Sequence, residues 1–142
     1  MKTVYFVRHG ETEGNTGKVF QGSTTPLTKR GIQQGKIVAE RCARLPIHAM
    51  ISSTMGRAQQ TAEIISKRIE LPFEASDLFT EVRRPTSLMG RPTDDPQAQE
   101  IEKAGMRGYL GEGPKVEDGE HFSDLIPRVG MALDYLKDHT AK

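Results

Sequence analysis

The chain has 142 residues, of which 27% are charged, and its 20 basic and 19 acidic side chains leave a formal net charge of +1. This length predicts one domain over residues 1–142, and the balanced charge argues against a nucleic-acid partner. The single cysteine, Cys42, excludes an internal disulfide, and no apolar run is long enough to cross a membrane. A cytoplasmic protein is therefore expected.

The first predicted element is a short buried strand over residues 4–7, which are β-branched and aromatic. Arg8, His9 and Gly10 follow it directly, and the glycine permits a sharp turn. The strand would deliver Arg8 and His9 to the carboxyl edge of a sheet, where open α/β folds bind ligands. A fixed positive charge beside a nucleophilic imidazole suits a phosphate ester.

Helical and strand patterns alternate after this first strand. Thr28 is a suitable N-cap, and apolar residues recur behind it at helical spacing. The predicted elements are a helix over 28–45, a parallel strand over 47–52, a helix ended by Pro72, and a strand or extended segment over 73–79. This order predicts an α/β fold, a three-layer α/β/α sandwich with a mainly parallel sheet.

The second half of the sequence predicts fewer buried elements. A loop over 82–93 precedes a polar surface helix over 94–103, and a glycine-rich loop covers 105–119. The last predicted helix spans 120–138 and carries an apolar stripe. Pro127 should kink this helix or mark its first turn.

Four stretches together resemble the histidine phosphatase superfamily, whose fold is that of phosphoglycerate mutase. They are Arg8-His9-Gly10 with Asn15 behind it, residues 22–31 (GSTTPLTKRG), residues 52–61 (SSTMGRAQQT), and Glu81 after a short apolar stretch. The resemblance runs from Lys2 to about Leu136. It implies phosphoryl transfer through a phosphohistidine, with no metal and no cofactor.

The resemblance also implies a role for each matching residue. His9 would be the nucleophile, Arg8 and Arg57 the phosphate clamp, and Glu81 the general acid that protonates the leaving group. Asn15, Gln21 and Gly22 match positions that contact the phosphate in the family. On the residues alone, Arg57 could be an exposed helix arginine and Glu81 a solvated glutamate.

Arg83 and Arg84 are the predicted substrate-binding residues beyond Glu81. Two adjacent arginines could bind a second anionic group of the substrate, or they could be surface charge. The chain has no tryptophan, so it departs here from the Gly-x-Trp-x-Gly-like segment of many family phosphatases. The substrate therefore cannot be transferred by analogy.

A second catalytic histidine is the family feature that this sequence does not match. In the family it follows the last helix, in a strand that lies beside the first one. The sequence ends at Lys142, so the resemblance implies a C-terminally incomplete domain whose sheet would keep unpaired backbone groups. A truncated chain, a strand from a partner and a non-catalytic relative remain as interpretations.

The predicted function is hydrolysis of phosphomonoesters, independent of metal, through a phosphohistidine on His9. A phosphoglycerate-mutase-type phosphotransferase and a non-catalytic phosphate-binding relative are the alternatives. The expected partner is a small phosphorylated metabolite or a phosphoprotein, with no nucleic acid and no membrane, and the oligomeric state stays open. The four histidines lack metal-ligand spacing, so no metal site is predicted.

Overall fold

The computed structural model describes residues 2–139 and contains helices around a small parallel sheet. The α-helices are α1 (Lys29–Cys42), α2 (Gly56–Ile69), α3 (Pro96–Tyr109) and α4 (Phe122–Asp138), and the strands are β1 (Ile51–Ser52) and β2 (Glu74–Ala75). Short 3-10 helices cover Glu13–Thr16, Asp77–Phe79 and Thr86–Leu88.

The two strands pair in parallel, with Ile51 opposite Glu74 and Ser52 opposite Ala75. Helix α2 connects them, which is the crossover that a parallel pair requires. The ladder extends beyond the strand ends, because the Glu74 N–H donates to Met50 O at 3.0 Å and the Ser76 N–H donates to Ser52 O at 2.9 Å. The predicted α/β class with a parallel sheet is confirmed.

The prediction of a buried strand over residues 4–7 is wrong for the described part of the chain. These residues form no strand, and Val4 is 48% and Phe6 84% exposed. β-propensity reports how well a residue fits a paired, half-buried surface, and a strand needs a neighbour to supply the ladder. Within residues 2–139 no strand pairs with this segment.

Helix α1 begins as predicted. The Thr28 hydroxyl accepts the Gly31 N–H at 3.0 Å and so satisfies one of the free donors of the first turn. The helix packs on α2 through a core of Ala39, Cys42 and Ile65. Burial raises the pKa of the Cys42 thiol, which favours a packing role over a nucleophilic one.

Helix α3 is longer and more deeply seated than the predicted polar surface helix. Asp95 caps its N-terminus by accepting the Gln97 N–H at 2.9 Å, and the helix continues to Tyr109. Its Ala98 is fully buried against Phe20 and Leu88, which form a second core cluster. In the sequence Ala98 is a small apolar residue in a mainly polar segment, so the sequence pattern did not predict its burial.

Helix α4 continues through Pro127, which lies in its second turn. His121 caps the helix, where its Nδ1 accepts the Ser123 N–H at 3.2 Å. The predicted apolar stripe is only partly covered: Phe122 is 44% and Val129 41% exposed, whereas Leu125 and Leu136 are partly buried. None of the helices in residues 2–139 combines the length and apolar character that a membrane span needs.

Candidate active site

A cavity of about 890 Å³ brings most of the predicted site residues together. Its walls include residues 2–7 and 46–51, which continue into the polar part of the site. The predicted site residues that line this cavity are Arg8, His9, Asn15, Gln21, Arg57 and Glu81. Residues that are far apart in sequence therefore share one concave surface, as a small-molecule site requires.

Arg57 is the centre of this surface. It is the second residue of α2, and it is only 3% exposed. Its guanidinium donates in three directions: Nε to His9 Nε2 at 3.2 Å, Nη1 to Gly22 O at 3.2 Å, and Nη2 to Glu81 Oε2 at 2.7 Å. These three hydrogen bonds hold the planar, permanently charged guanidinium group in one orientation. This burial contradicts the interpretation of Arg57 as an exposed helix arginine.

The contacts of His9 determine which nitrogen of its ring carries the hydrogen. Nδ1 lies 2.7 Å from Gly10 O, and a carbonyl oxygen can only accept. Nε2 faces Arg57 Nε, which can only donate. The neutral ring therefore has its hydrogen on Nδ1 and a lone pair on Nε2, which points toward the guanidinium. This is the arrangement that a nucleophilic imidazole needs.

The turn after His9 is held by both α1 and α2. The Gly10 N–H donates to the Thr61 hydroxyl at 3.2 Å, and that hydroxyl donates to Arg57 O at 2.8 Å. The Glu11 N–H donates to Gln34 Oε1 at 2.8 Å. His9 is thus positioned by the turn that follows it, since the segment before it pairs with no strand within residues 2–139.

The backbone of the turn at residues 10–11 approaches the backbone of Gly31 in α1 so closely that glycine is needed at both Gly10 and Gly31. A Cβ on Gly31 would lie 2.1 Å from Glu11 O, and a Cβ on Gly10 would lie 2.3 Å from Gly31 O. Both obstacles are backbone atoms, which cannot rotate away as a side chain can. We expect Gly31→Ala to lower the free energy of unfolding by about 2 kcal/mol, measured by urea denaturation.

Gly130→Ala in α4 is the matched control for this substitution. Nothing lies within 4 Å of the added methyl group there. Alanine is also the better helix former, so this variant should gain about 0.5 to 1 kcal/mol. A similar response of the two variants would contradict the close-approach argument.

Asn15 and Gln21 are held by Thr12, a residue to which the sequence assigned no role. Thr12 is fully buried, and its hydroxyl lies 2.9 Å from Asn15 Oδ1 and 2.8 Å from Gln21 Oε1. The Thr12 N–H donates to Asn15 Oδ1 at 3.0 Å, which leaves the Asn15 amide hydrogens for other acceptors. The spacing of a threonine and an asparagine three residues apart was the available signal, because it forms a capping box.

Glu81 lies at the rim of the cavity, where its side chain is 49% exposed. Two guanidinium groups approach its carboxylate: Arg57 Nη2 at 2.7 Å and Arg84 Nη1 at 3.6 Å. The carboxylate therefore occupies donors that a phosphate oxygen could also use.

The remaining predicted arginines are less closely tied to the site. Arg8 lines the cavity and is exposed, and no ion pair of its side chain occurs among the described residues. Arg84 also pairs with Glu102 at 3.1 Å. Neither Arg83 nor Arg84 is among the residues that line the cavity. A direct phosphate contact from these two arginines is thus not part of this arrangement.

Glu120 and Arg128 form an ion pair behind Glu81, and the sequence analysis predicted no role for either residue. The Glu120 side chain is 1% and that of Arg128 18% exposed. Arg128 Nε and Nη2 each donate to a different Glu120 oxygen at 2.7 Å. The hydrogen bonds from Arg128 hold the pKa of Glu120 below its ordinary value of 4.5.

The stability contributed by this pair should depend on pH. A carboxyl whose pKa is lowered by folding stabilises the native state above its unfolded pKa, and this stability is lost as the pH falls through the folded pKa. We expect Glu120→Gln to cost about 2 kcal/mol at neutral pH, because a charged hydrogen bond is lost. In urea denaturation the gap between wild type and variant should narrow below about pH 4.5. A gap that is constant down to about pH 2 would contradict this assignment.

No cluster of three or more histidine, cysteine, aspartate or glutamate residues suited to a metal ion occurs within residues 2–139. The chemistry that the described side chains themselves can supply is a nucleophilic nitrogen, fixed positive charge and an exposed carboxyl group. These are the parts that transfer of a phosphoryl group through a covalent intermediate requires.

The sequence matches the family described as the histidine phosphatase superfamily (branch 1) over residues 4–142. It is 38% identical over 137 residues to a protein of Yersinia pestis (strain Pestoides F) named probable phosphoglycerate mutase GpmB. That match covers 94% of this chain and 62% of the relative. The chain thus spans less than two thirds of the length of this curated relative.

Solved structures show the same fold. Bacillus stearothermophilus YhfR has a TM-score of 0.75 at 26% identity, over 92% of this chain and 65% of that one. A putative alpha-ribazole-5'-P phosphatase from Escherichia coli has a TM-score of 0.75 at 25% identity, over 93% and 65%. A mycobacterial glucosyl-3-phosphoglycerate phosphatase has a TM-score of 0.69 at 22% identity, over 92% and 62%, and shows the fold alone.

Proposed function

Because this chain belongs to the histidine phosphatase superfamily, we propose that it hydrolyses phosphomonoesters through a phosphohistidine on His9. The observation that carries the proposal is the contact between His9 Nε2 and Arg57 Nε at 3.2 Å. It places an unprotonated ring nitrogen, whose lone pair accepts a hydrogen bond from Arg57, beside a buried positive charge. A phosphoryl group that replaces this hydrogen bond would meet both its attacking atom and its counter-charge.

The first step forms the bond between His9 Nε2 and phosphorus and breaks the bond between phosphorus and the ester oxygen. Arg57 stabilises the charge on the equatorial oxygens, and Arg8, Asn15, Gln21 and the backbone at Gly22 complete the phosphate site. The leaving oxygen takes the proton of the Glu81 carboxyl group, so that the alcohol departs neutral. The products of this step are phosphohistidine and Glu81 carboxylate.

The second step returns the site to its starting state. Glu81 carboxylate accepts a proton from water while the water oxygen attacks phosphorus, and the bond from phosphorus to Nε2 breaks. Free phosphate and neutral His9 result, and no metal or cofactor takes part. Since Glu81 pairs with Arg57 at 2.7 Å, the proposal includes its displacement by phosphate and its uptake of a proton.

The proposed substrate is a small phosphorylated metabolite. The name of one similar structure, at 25% identity, refers to a putative phosphatase of alpha-ribazole-5'-P, a small molecule. Arg84 does not line the cavity, but it contacts the cavity residue Glu81 at 3.6 Å, and Arg83 precedes it in sequence. These arginines suit a substrate with a second anionic group beyond the phosphate that reacts.

A phosphoglycerate-mutase-type phosphotransferase is the second candidate. The name of the Yersinia relative, at 38% identity, supports it. Such an enzyme would share the first step and then pass the phosphoryl group to a hydroxyl group instead of water. Comparing phosphate release with transfer to added 2- or 3-phosphoglycerate separates the two reactions.

The proposal is tested by intact mass spectrometry of the 142-residue protein after brief incubation with 4-nitrophenyl phosphate and EDTA. We expect an adduct of one phosphoryl group that acid removes and that fragmentation locates on His9. Inorganic phosphate should appear at the same rate as 4-nitrophenol once the adduct has formed.

Absence of both the adduct and phosphate release would overturn the enzymatic proposal. If inorganic phosphate or vanadate still bound at Arg57 in that case, the chain would be a phosphate-binding relative without turnover. An adduct on another residue would overturn the assignment of His9 while preserving the covalent route.

A further inference from the structure

The segment that carries Glu81 is held from behind by Arg128 of α4. Arg128 Nη1 donates to Leu78 O and to Thr80 O, both at 3.0 Å. Its Nε and Nη2 are directed by Glu120, so the guanidinium cannot rotate without breaking two charged hydrogen bonds. The backbone just before Glu81 is therefore anchored to this cation.

The backbone just after Glu81 is anchored to the other member of the same pair. The Arg83 N–H donates to Glu120 Oε2 at 3.3 Å, and the Glu120 N–H donates to Arg83 O at 2.7 Å. Residues 80 and 83 are thus both fixed to the Glu120–Arg128 pair, with only Glu81 and Val82 between them. The Glu81 carboxylate also contacts Arg57 at 2.7 Å and Arg84 at 3.6 Å, but these are the contacts that phosphate would displace, and the side chain is half exposed.

We propose that Glu120 and Arg128 are positioning residues that hold Glu81 in place for proton transfer. The inference rests on the proposed function, in which Glu81 protonates the leaving oxygen. A general acid must lie within hydrogen-bonding distance of that oxygen, and a displacement of about 1 Å can cost about a hundredfold in rate. The Glu120–Arg128 pair fixes the backbone on both sides of Glu81, and this would keep the Glu81 carboxyl group in position although it lies on an exposed loop.

The pair touches neither the cavity nor His9, so its effect should be confined to the step that needs a proton. Comparing two substrates shows whether the step that needs a proton is affected. Glycerol 2-phosphate has an alkoxide leaving group that must be protonated, whereas 2,4-dinitrophenolate leaves without a proton. The ratio of their kcat/KM values therefore reports on the placement of Glu81, and a general loss of folded protein lowers both alike.

We expect Glu120→Gln to lower kcat/KM for glycerol 2-phosphate about 10- to 100-fold, with a change of less than about threefold for 2,4-dinitrophenyl phosphate. Glu81→Gln should show the same selectivity with a larger loss, about 10²- to 10⁴-fold. Arg128→Lys is the second variant should Glu120→Gln fold poorly. It keeps a positive charge but cannot reach two carbonyl groups and a carboxylate together.

Glu40→Gln is the matched control. Glu40 also forms a two-pronged pair with an arginine, Arg68, at 2.6 and 3.0 Å, and this pair joins α1 to α2 on the surface. It makes no contact with residues 78–83, so it should leave the substrate ratio unchanged. A shift of the ratio in this control equal to that in Glu120→Gln would overturn the proposal.

Amide hydrogen exchange provides a readout that does not depend on turnover. The Arg83 N–H should lose protection in Glu120→Gln and keep it in Glu40→Gln. Unchanged protection and an unchanged ratio would overturn the positioning role. If Glu81→Gln left the ratio of the two kcat/KM values unchanged, the assignment of Glu81 as the general acid in the proposed function would be wrong. If no variant and not even the wild type turned over, exchange at Arg83 would still decide whether the pair holds this segment.

Discussion

Replacing His9 with alanine is expected to abolish the phosphohistidine and to lower kcat/KM for 4-nitrophenyl phosphate by about 10³-fold or more. The reason is that Nε2 forms the covalent bond in the proposed mechanism, and within residues 2–139 no other histidine is hydrogen-bonded to Arg57. The variant should still bind inorganic phosphate, because the guanidinium loses one acceptor and keeps its charge. Intact mass spectrometry and calorimetry of phosphate binding measure the two effects separately.

His121→Asn is the control for this prediction. His121 lies outside the cavity and caps α4, and asparagine is itself a good N-cap, so folding and phosphorylation should both persist. Retention of the acid-labile adduct in His9→Ala would contradict the nucleophile assignment. Loss of phosphate binding in that variant would instead indicate that His9 is needed to build the site.

Replacing Arg57 with lysine is expected to lower kcat/KM by about 10²- to 10³-fold, although the charge is retained. An ammonium group cannot donate to His9, Gly22 and Glu81 in the three fixed directions that the guanidinium reaches. Arg57→Gln should lose still more, because the positive charge that would stabilise the phosphoryl oxygens is then absent. Both variants should bind vanadate more weakly than the wild type, as measured by inhibition.

Arg68→Lys on the same helix is the matched control. Arg68 pairs with Glu40 and is half exposed, so its substitution should leave turnover and vanadate inhibition unchanged. Arg57→Lys with wild-type kcat/KM would show that only charge matters at this position. The central role of its geometry would then be wrong.

Local signals predicted much of the secondary structure. Thr28 caps α1 as expected, and the helix predicted after the second strand is α2, with Arg57 in its first turn. These predictions hold because capping and periodicity act within a few residues. The predicted end of α2 was less accurate. The sequence predicted that Pro72 ends this helix, but it ends at Ile69 because Glu70 adopts a left-handed conformation with φ of 55°.

Contacts between distant segments explain what the sequence missed. Residues 4–7 have the composition of a buried strand, yet within residues 2–139 they have no strand to pair with. The role of Thr12 depends on Asn15 and Gln21 turning toward its hydroxyl, and the burial of Ala98 depends on Phe20 and Leu88. No local pattern contains these partners.

The amino-acid sequence alone specified the family, the α/β class and the order of the helices, because those follow from motifs and short-range propensity. Only the tertiary structure determined the tautomer of His9, the three hydrogen bonds donated by Arg57, and the Glu120–Arg128 pair behind Glu81. Each of these rests on hydrogen bonds between groups whose distances are fixed only when the helices pack. The charge and hydrogen-bond geometry of the site depend on the folded structure, whereas the residue types that the proposed reaction would use can be read from the sequence.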